Sequence, residues 1–86
     1  MEKIDVDRMT GLKIGDRIVL FAKNGVPEKT TINLNIKGDG IFKVLVTDLE
    51  KGNWIITGPK APGMVKNDHN HVYFQATAGN YVITRK

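Results

Sequence analysis

The sequence predicts an all-β fold: a small antiparallel two-sheet β-sandwich, close in size to an immunoglobulin module. Three observations carry this. Apolar and polar residues alternate at period two in several short segments. β-Branched residues are too frequent, and apolar spacings of three and four too rare, for a stable helix. Clusters of Gly, Pro, Asn and Asp punctuate the segments at intervals typical of sandwiches. A partly open β-barrel is the alternative architecture.

Taken in order, Arg17 to Ala22 (RIVLFA) is an apolar, partly β-branched strand between Gly15-Asp16 and the turn-forming run Lys23-Asn24-Gly25-Val26-Pro27. From Thr30 to Lys37 the alternation is nearly perfect, with Ile32, Leu34 and Ile36 on one face and Thr31, Asn33, Asn35 and Lys37 on the other. Gly38-Asp39-Gly40 then reads as a hairpin turn into Ile41 to Asp48, so these two strands are expected to pair antiparallel. Phe42, Val44 and Val46 share a face of the second strand, while Ile41 and Leu45 make its other face partly apolar. Leu49 to Asn53 reverses the chain into a short strand, Trp54 to Thr57, and Pro59 to Asn70 reads as the longest irregular stretch. His71 to Ala76 alternates again, and Gly79-Asn80 turns it into Tyr81 to Thr84 as an expected C-terminal hairpin. The expected core is Ile18, Leu20, Ile32, Leu34, Ile36, Phe42, Val44, Val46, Trp54, Ile56, Val72, Phe74 and Ile83.

Composition narrows the function classes. A chain of 86 residues holds one modest core and leaves little room for an enclosed active site. With no Cys and no Ser, a disulfide scaffold, a thiolate or seryl nucleophile and a Cys-based zinc site are all excluded. The charge of +4 is mildly basic, and its 13 Lys and Arg residues are spread among 9 acids without a polybasic block. No apolar run is long enough to insert in a membrane as a helix, and the first ten residues lack a signal-peptide core.

Few residues are candidates for chemistry. His69 and His71, two apart beside Asp68, could share a metal ion from one side of a strand, but no third His or Cys supports them. A polar loop leading into a strand is the simpler reading. The carboxylates sit at expected turns and termini, where acids cap and solvate, and Gly38-Asp39-Gly40 lacks the following helix that a phosphate loop requires. No cofactor is expected. Trp54, Tyr73 and Tyr81 could form a sugar-stacking platform, with Lys43 and neighbouring lysines favouring an acidic polysaccharide and Asn33, Asn35 and Gln75 supplying hydrogen bonds. A core role for Trp54 competes with that use. A single-stranded nucleic-acid-binding β-barrel would draw on the same aromatics, but Phe42 falls on the core face and no compact basic-aromatic motif is present, which disfavours nucleic acid as a partner.

The stretch from Val46 through Leu49, Gly52 and Trp54 to Ile56, followed by Val72-Tyr73-Phe74-Gln75-Ala76 and Gly79-Asn80-Tyr81-Val82-Ile83, resembles the end of the C-terminal β-sandwich domain of heparinase II/III-like polysaccharide lyases and related secreted bacterial proteins. Thr10 to Asp16 adds a second leucine, turn and glycine element. The resemblance implies a single accessory domain over residues 1–86, taken from a longer chain, extracytoplasmic and without catalytic residues of its own. In such lyases the catalytic Tyr and His lie in upstream domains, and no position here matches them. Its implied task is to pack against neighbouring domains, with glycan binding through exposed aromatics as the alternative.

Overall fold

The computed structural model describes residues 2–67 and 70–85, and within them the chain is strand and turn throughout. Nine strands follow in order: β1 (Glu2–Val6), β2 (Met9–Ile14), β3 (Arg17–Ala22), β4 (Ile32–Ile36), β5 (Phe42–Val46), β6 (Gly52–Thr57), β7 (Gly63–Asn67), β8 (Val72–Ala76) and β9 (Gly79–Arg85). They form a five-stranded sheet ordered β1-β2-β3-β5-β8 and a four-stranded sheet ordered β4-β9-β6-β7. Neither sheet closes on itself, so the architecture is the sandwich rather than the barrel.

Alternation sets the core. The inward residues of β3, β4, β5, β6, β8 and β9 meet between the sheets, and all thirteen expected core residues are buried there. Met9, Ala22, Leu49, Ala76 and Tyr81 complete the buried hydrophobic set among the described residues. Phe74 from one sheet and Tyr81 from the other meet across the interface with ring centroids 5.9 Å apart and planes tilted by 48°.

Pairing differs from expectation in two places. The strands flanking Gly38-Asp39-Gly40 are not a hairpin: β4 pairs with β9, whereas β5 lies in the other sheet, parallel to β3 and antiparallel to β8. Gly38 and Gly40, at φ 123° and 86°, let this connection cross from sheet to sheet. The C-terminal pair is likewise split, with β8 in the five-stranded sheet and β9 at the centre of the four-stranded one. Consecutive strands that change sheets are what a sandwich requires, and period two reports a strand's faces without naming its neighbour.

Three strands lie outside the expected set. β1 and β2 form a hairpin through Asp7, whose φ is 54°. Within the expected loop from Pro59 to Asn70, β7 pairs antiparallel with β6. The long connection between β3 and β4 is held by backbone bonds from Glu28 N–H to Asp48 C=O (2.7 Å) and from Glu50 N–H to Glu28 C=O (2.9 Å). Asp48, at φ 57°, also accepts the Ala22 N–H on its carboxylate at 3.0 Å.

Candidate functional site on the five-stranded sheet

Strand β3 directs the site. Its inward residues Ile18, Leu20 and Ala22 enter the core, which leaves Arg17, Val19 and Phe21 on the outer face. Register then aligns that face in rows across the sheet. Lys3, Leu12, Val19, Leu45 and Tyr73 lie side by side on five successive strands. A second row runs Ile14, Arg17, Lys43 and Gln75.

The middle of this face is apolar and open to solvent. Ile14 is 56% exposed, Tyr73 52%, Phe21 42% and Val19 39%. Two shallow depressions share it: one of about 350 Å³ lined by Leu12, Ile14, Arg17, Val19 and Phe21, and one of about 310 Å³ lined by Arg17, Ile18, Val19, Lys43, Leu45 and Tyr73. Among the described residues no ion pair or hydrogen bond engages the Arg17 guanidinium or the Lys43 ammonium. At the β1 edge, by contrast, Asp5 lies between Lys3 (4.0 Å) and Lys23 (3.7 Å), and the Thr10 hydroxyl hydrogen bond first, then those cations, hold its carboxyl below the ordinary value.

The expected sugar platform is divided by this geometry. Trp54 and Tyr81 are both 0% exposed. The Trp54 indole N–H donates to Glu50 C=O at 2.9 Å, and the Tyr81 hydroxyl is spent on Thr77 and Lys60. Neither ring offers a face to a ligand, because each is in phase with a core isoleucine, Ile56 or Ile83, on its own strand. Tyr73 and Lys43 do come together, on adjacent strands, joined by Gln75 opposite Lys43. Asn33 and Asn35 project from the opposite side of the molecule, on the outer face of the four-stranded sheet. Arg17, Val19 and Phe21 were not among the expected site residues, although two apolar side chains alternating with Ile18 and Leu20 already marked a strand that is apolar on both faces.

Of the histidine pair, His71 is exposed just before β8, and His69 lies outside the described residues. Among the described residues no group of three His, Cys, Asp or Glu gathers as metal ligands would. One acid departs from the solvated turn position expected of it: Glu28 is 5% exposed and receives bonds from Arg8 Nε (2.8 Å), the Thr30 hydroxyl (2.6 Å) and the Thr30 N–H (3.0 Å). Burial is the largest single influence and favours the neutral acid, but these donors together outweigh it and hold the carboxyl below its ordinary value.

The heparinase II C-terminal domain family model matches residues 3–85. The chain belongs to this family. The match extends the resemblance seen in the second half of the sequence to nearly the whole chain, and it identifies the sandwich as the C-terminal domain type of heparinase-like polysaccharide lyases. No curated protein matches the chain. Among the described residues no helix is long and apolar enough to cross a membrane.

Proposed function

We propose that the chain is a non-catalytic accessory domain of a secreted, extracytoplasmic carbohydrate-active or cell-surface protein, and that it packs against neighbouring domains through the outer face of its five-stranded sheet. The observation that carries this reading is the apolar band Leu12, Ile14, Val19, Phe21, Leu45 and Tyr73, continuous across four strands and open to solvent. Contiguous apolar surface of this kind marks contact sites rather than ordinary solvated surface. Family membership supports the same reading, since a C-terminal domain of a heparinase-like lyase has neighbouring domains to meet. The isolated chain should bind a hydrophobic dye, and the double variant Val19→Lys/Phe21→Lys should lose most of that signal while keeping its unfolding transition. A wild-type chain that binds no dye would count against docking by this face.

A second reading rests on the cations. Arg17 and Lys43, unpaired beside the exposed Tyr73 ring, suit an acidic polysaccharide that stacks one sugar on the ring and sets its carboxylate or sulfate groups against the row. An amide chemical-shift titration separates the two. Saturable shifts at Arg17, Lys43 and Tyr73 with an acidic glycosaminoglycan, absent with a neutral polysaccharide and with single-stranded DNA, would support glycan binding. Equal shifts with DNA would reduce the contact to charge alone.

A further inference from the structure

The two sheets have four edge strands, and three of them carry a device that discourages pairing with another chain. β1 is studded with Glu2, Lys3 and Asp5, and β7 opens on Gly63, whose φ of 84° breaks the extended geometry that an added strand needs. On β4 the outward N–H of Asn33 is taken by the Asp7 carboxylate at 2.9 Å. β8, with the sequence VYFQA, has neither charge nor proline.

Hydrogen-bond phase fixes what that edge offers. In β5, Lys43 N–H and Thr47 N–H donate to Asp16 and Leu20 of the β3 side, so the odd-numbered residues of β5 face β3 and the even-numbered ones face β8. Val72, Phe74 and Ala76, opposite Val46, Val44 and Phe42, therefore complete the ladder with β5. The backbone N–H and C=O groups of Tyr73 and Gln75 turn to the free edge, and they have no partner among the described residues. The next outward residue, Thr77, is closed off: its N–H donates to the Tyr81 hydroxyl at 3.1 Å, and that hydroxyl donates to its C=O at 2.9 Å. What remains is a short window, symmetric about Phe74.

We infer that this window pairs with the same window of a second copy of the chain, antiparallel about a two-fold axis at Phe74. Tyr73 of each copy then opposes Gln75 of the other, and all the free groups exchange backbone hydrogen bonds. Charge favours this occupant. The row Arg17, Lys43 and Gln75 of one copy leads into Tyr73, Leu45 and Val19 of the second copy, so cations of a chain with net charge +4 never face each other across the seam. The two Tyr73 rings become diagonal neighbours, within reach of aromatic contact. The five-stranded sheets join into one continuous sheet whose apolar outer faces stay open, so the pairing is independent of docking by that face. Contact along one short edge belongs to the weak class of interfaces, and the association is concentration-dependent.

Sedimentation equilibrium of the chain from dilute to millimolar concentration, combined with amide hydrogen exchange, tests this. A monomer–dimer equilibrium is expected, with the Tyr73 and Gln75 amides exchanging several-fold more slowly at high concentration. Gln75→Pro, which removes only an outward N–H, and Tyr73→Lys, which blunts the edge with charge, should each leave a folded monomer. Val19→Lys should still dimerise. A wild-type chain that stays monomeric over the range would overturn the inference, and so would a dimer that survives both edge variants but is lost in Val19→Lys.

Discussion

Two buried polar side chains set the local stability of the sandwich. The Tyr81 hydroxyl accepts N–H groups of Thr77 and Lys60 and donates to Thr77 C=O, tying the β8–β9 connection to the chain that leaves β6. Tyr81→Phe keeps the ring against Phe74 but strips three backbone groups of their partner. The expected cost is about 1–3 kcal/mol, read as a lower urea midpoint with an unchanged slope. Glu28 is the other. Its folded-state pKa lies below the ordinary value, so its contribution is fully present above the unfolded-state pKa and is lost as pH falls through the folded-state value. Urea midpoints measured from neutral pH into the acid range should therefore fall more steeply for the wild type than for Glu28→Gln. Parallel curves would show that the Arg8 and Thr30 contacts do not select the charged form.

At the scale of elements, the faces of strands were legible in the sequence and their partners were not. Alternation in β3, β4, β5, β6, β8 and β9 placed all thirteen named core residues correctly, because the inward side of a half-buried strand is written in every second residue. The same logic assigns Trp54 and Tyr81 to the core through their phase with Ile56 and Ile83, and their chemistry as sugar-stacking rings competed with that signal. β1 escaped notice because a charged edge strand shows little apolar alternation, and β7 because GMVKN begins at glycine and its apolar residues are adjacent rather than alternating. Pairing between β4 and β9 joins residues about fifty positions apart, which no local pattern encodes. Within β2, Gly11 reveals a constraint that composition also hides. A Cβ built there would lie 1.7 Å from the Val19 carbonyl oxygen, so the β2 and β3 backbones approach too closely for any side chain. Gly11→Ala should destabilise by at least about 1–3 kcal/mol, since the obstruction is backbone that cannot rotate away. An alanine variant with the wild-type unfolding midpoint would mean that the two strands separate at little cost.

Across the whole molecule the two outer faces differ in kind. That of the four-stranded sheet presents Thr31, Asn33, Asn35, Asn80 and Thr84, with Thr31 bonded to Thr84 through their hydroxyls at 2.9 Å and Asn35 to Asn80 through their amides. The same face also carries Ile55, Met64 and Val82, with Met64 58% and Val82 36% exposed, so its apolar side chains are interspersed among hydroxyls and amides. The outer face of the five-stranded sheet combines an apolar band with unpaired cations, and β3 is the strand along which core and contact surface are interleaved residue by residue. Adjacent substitutions in β3 should therefore part company. Leu20, 0% exposed, is packed on all sides, and Leu20→Ala should cost about 2–5 kcal/mol through lost burial and the cavity it leaves. Val19 is 39% exposed and leaves no cavity, so Val19→Lys should change stability by no more than about 0.5 kcal/mol while weakening dye binding. Urea unfolding of the two single variants beside the wild type decides the matter. If Val19→Lys proves as damaging as Leu20→Ala, the outer face contributes to the fold itself, and its apolar band would no longer argue for a neighbouring domain.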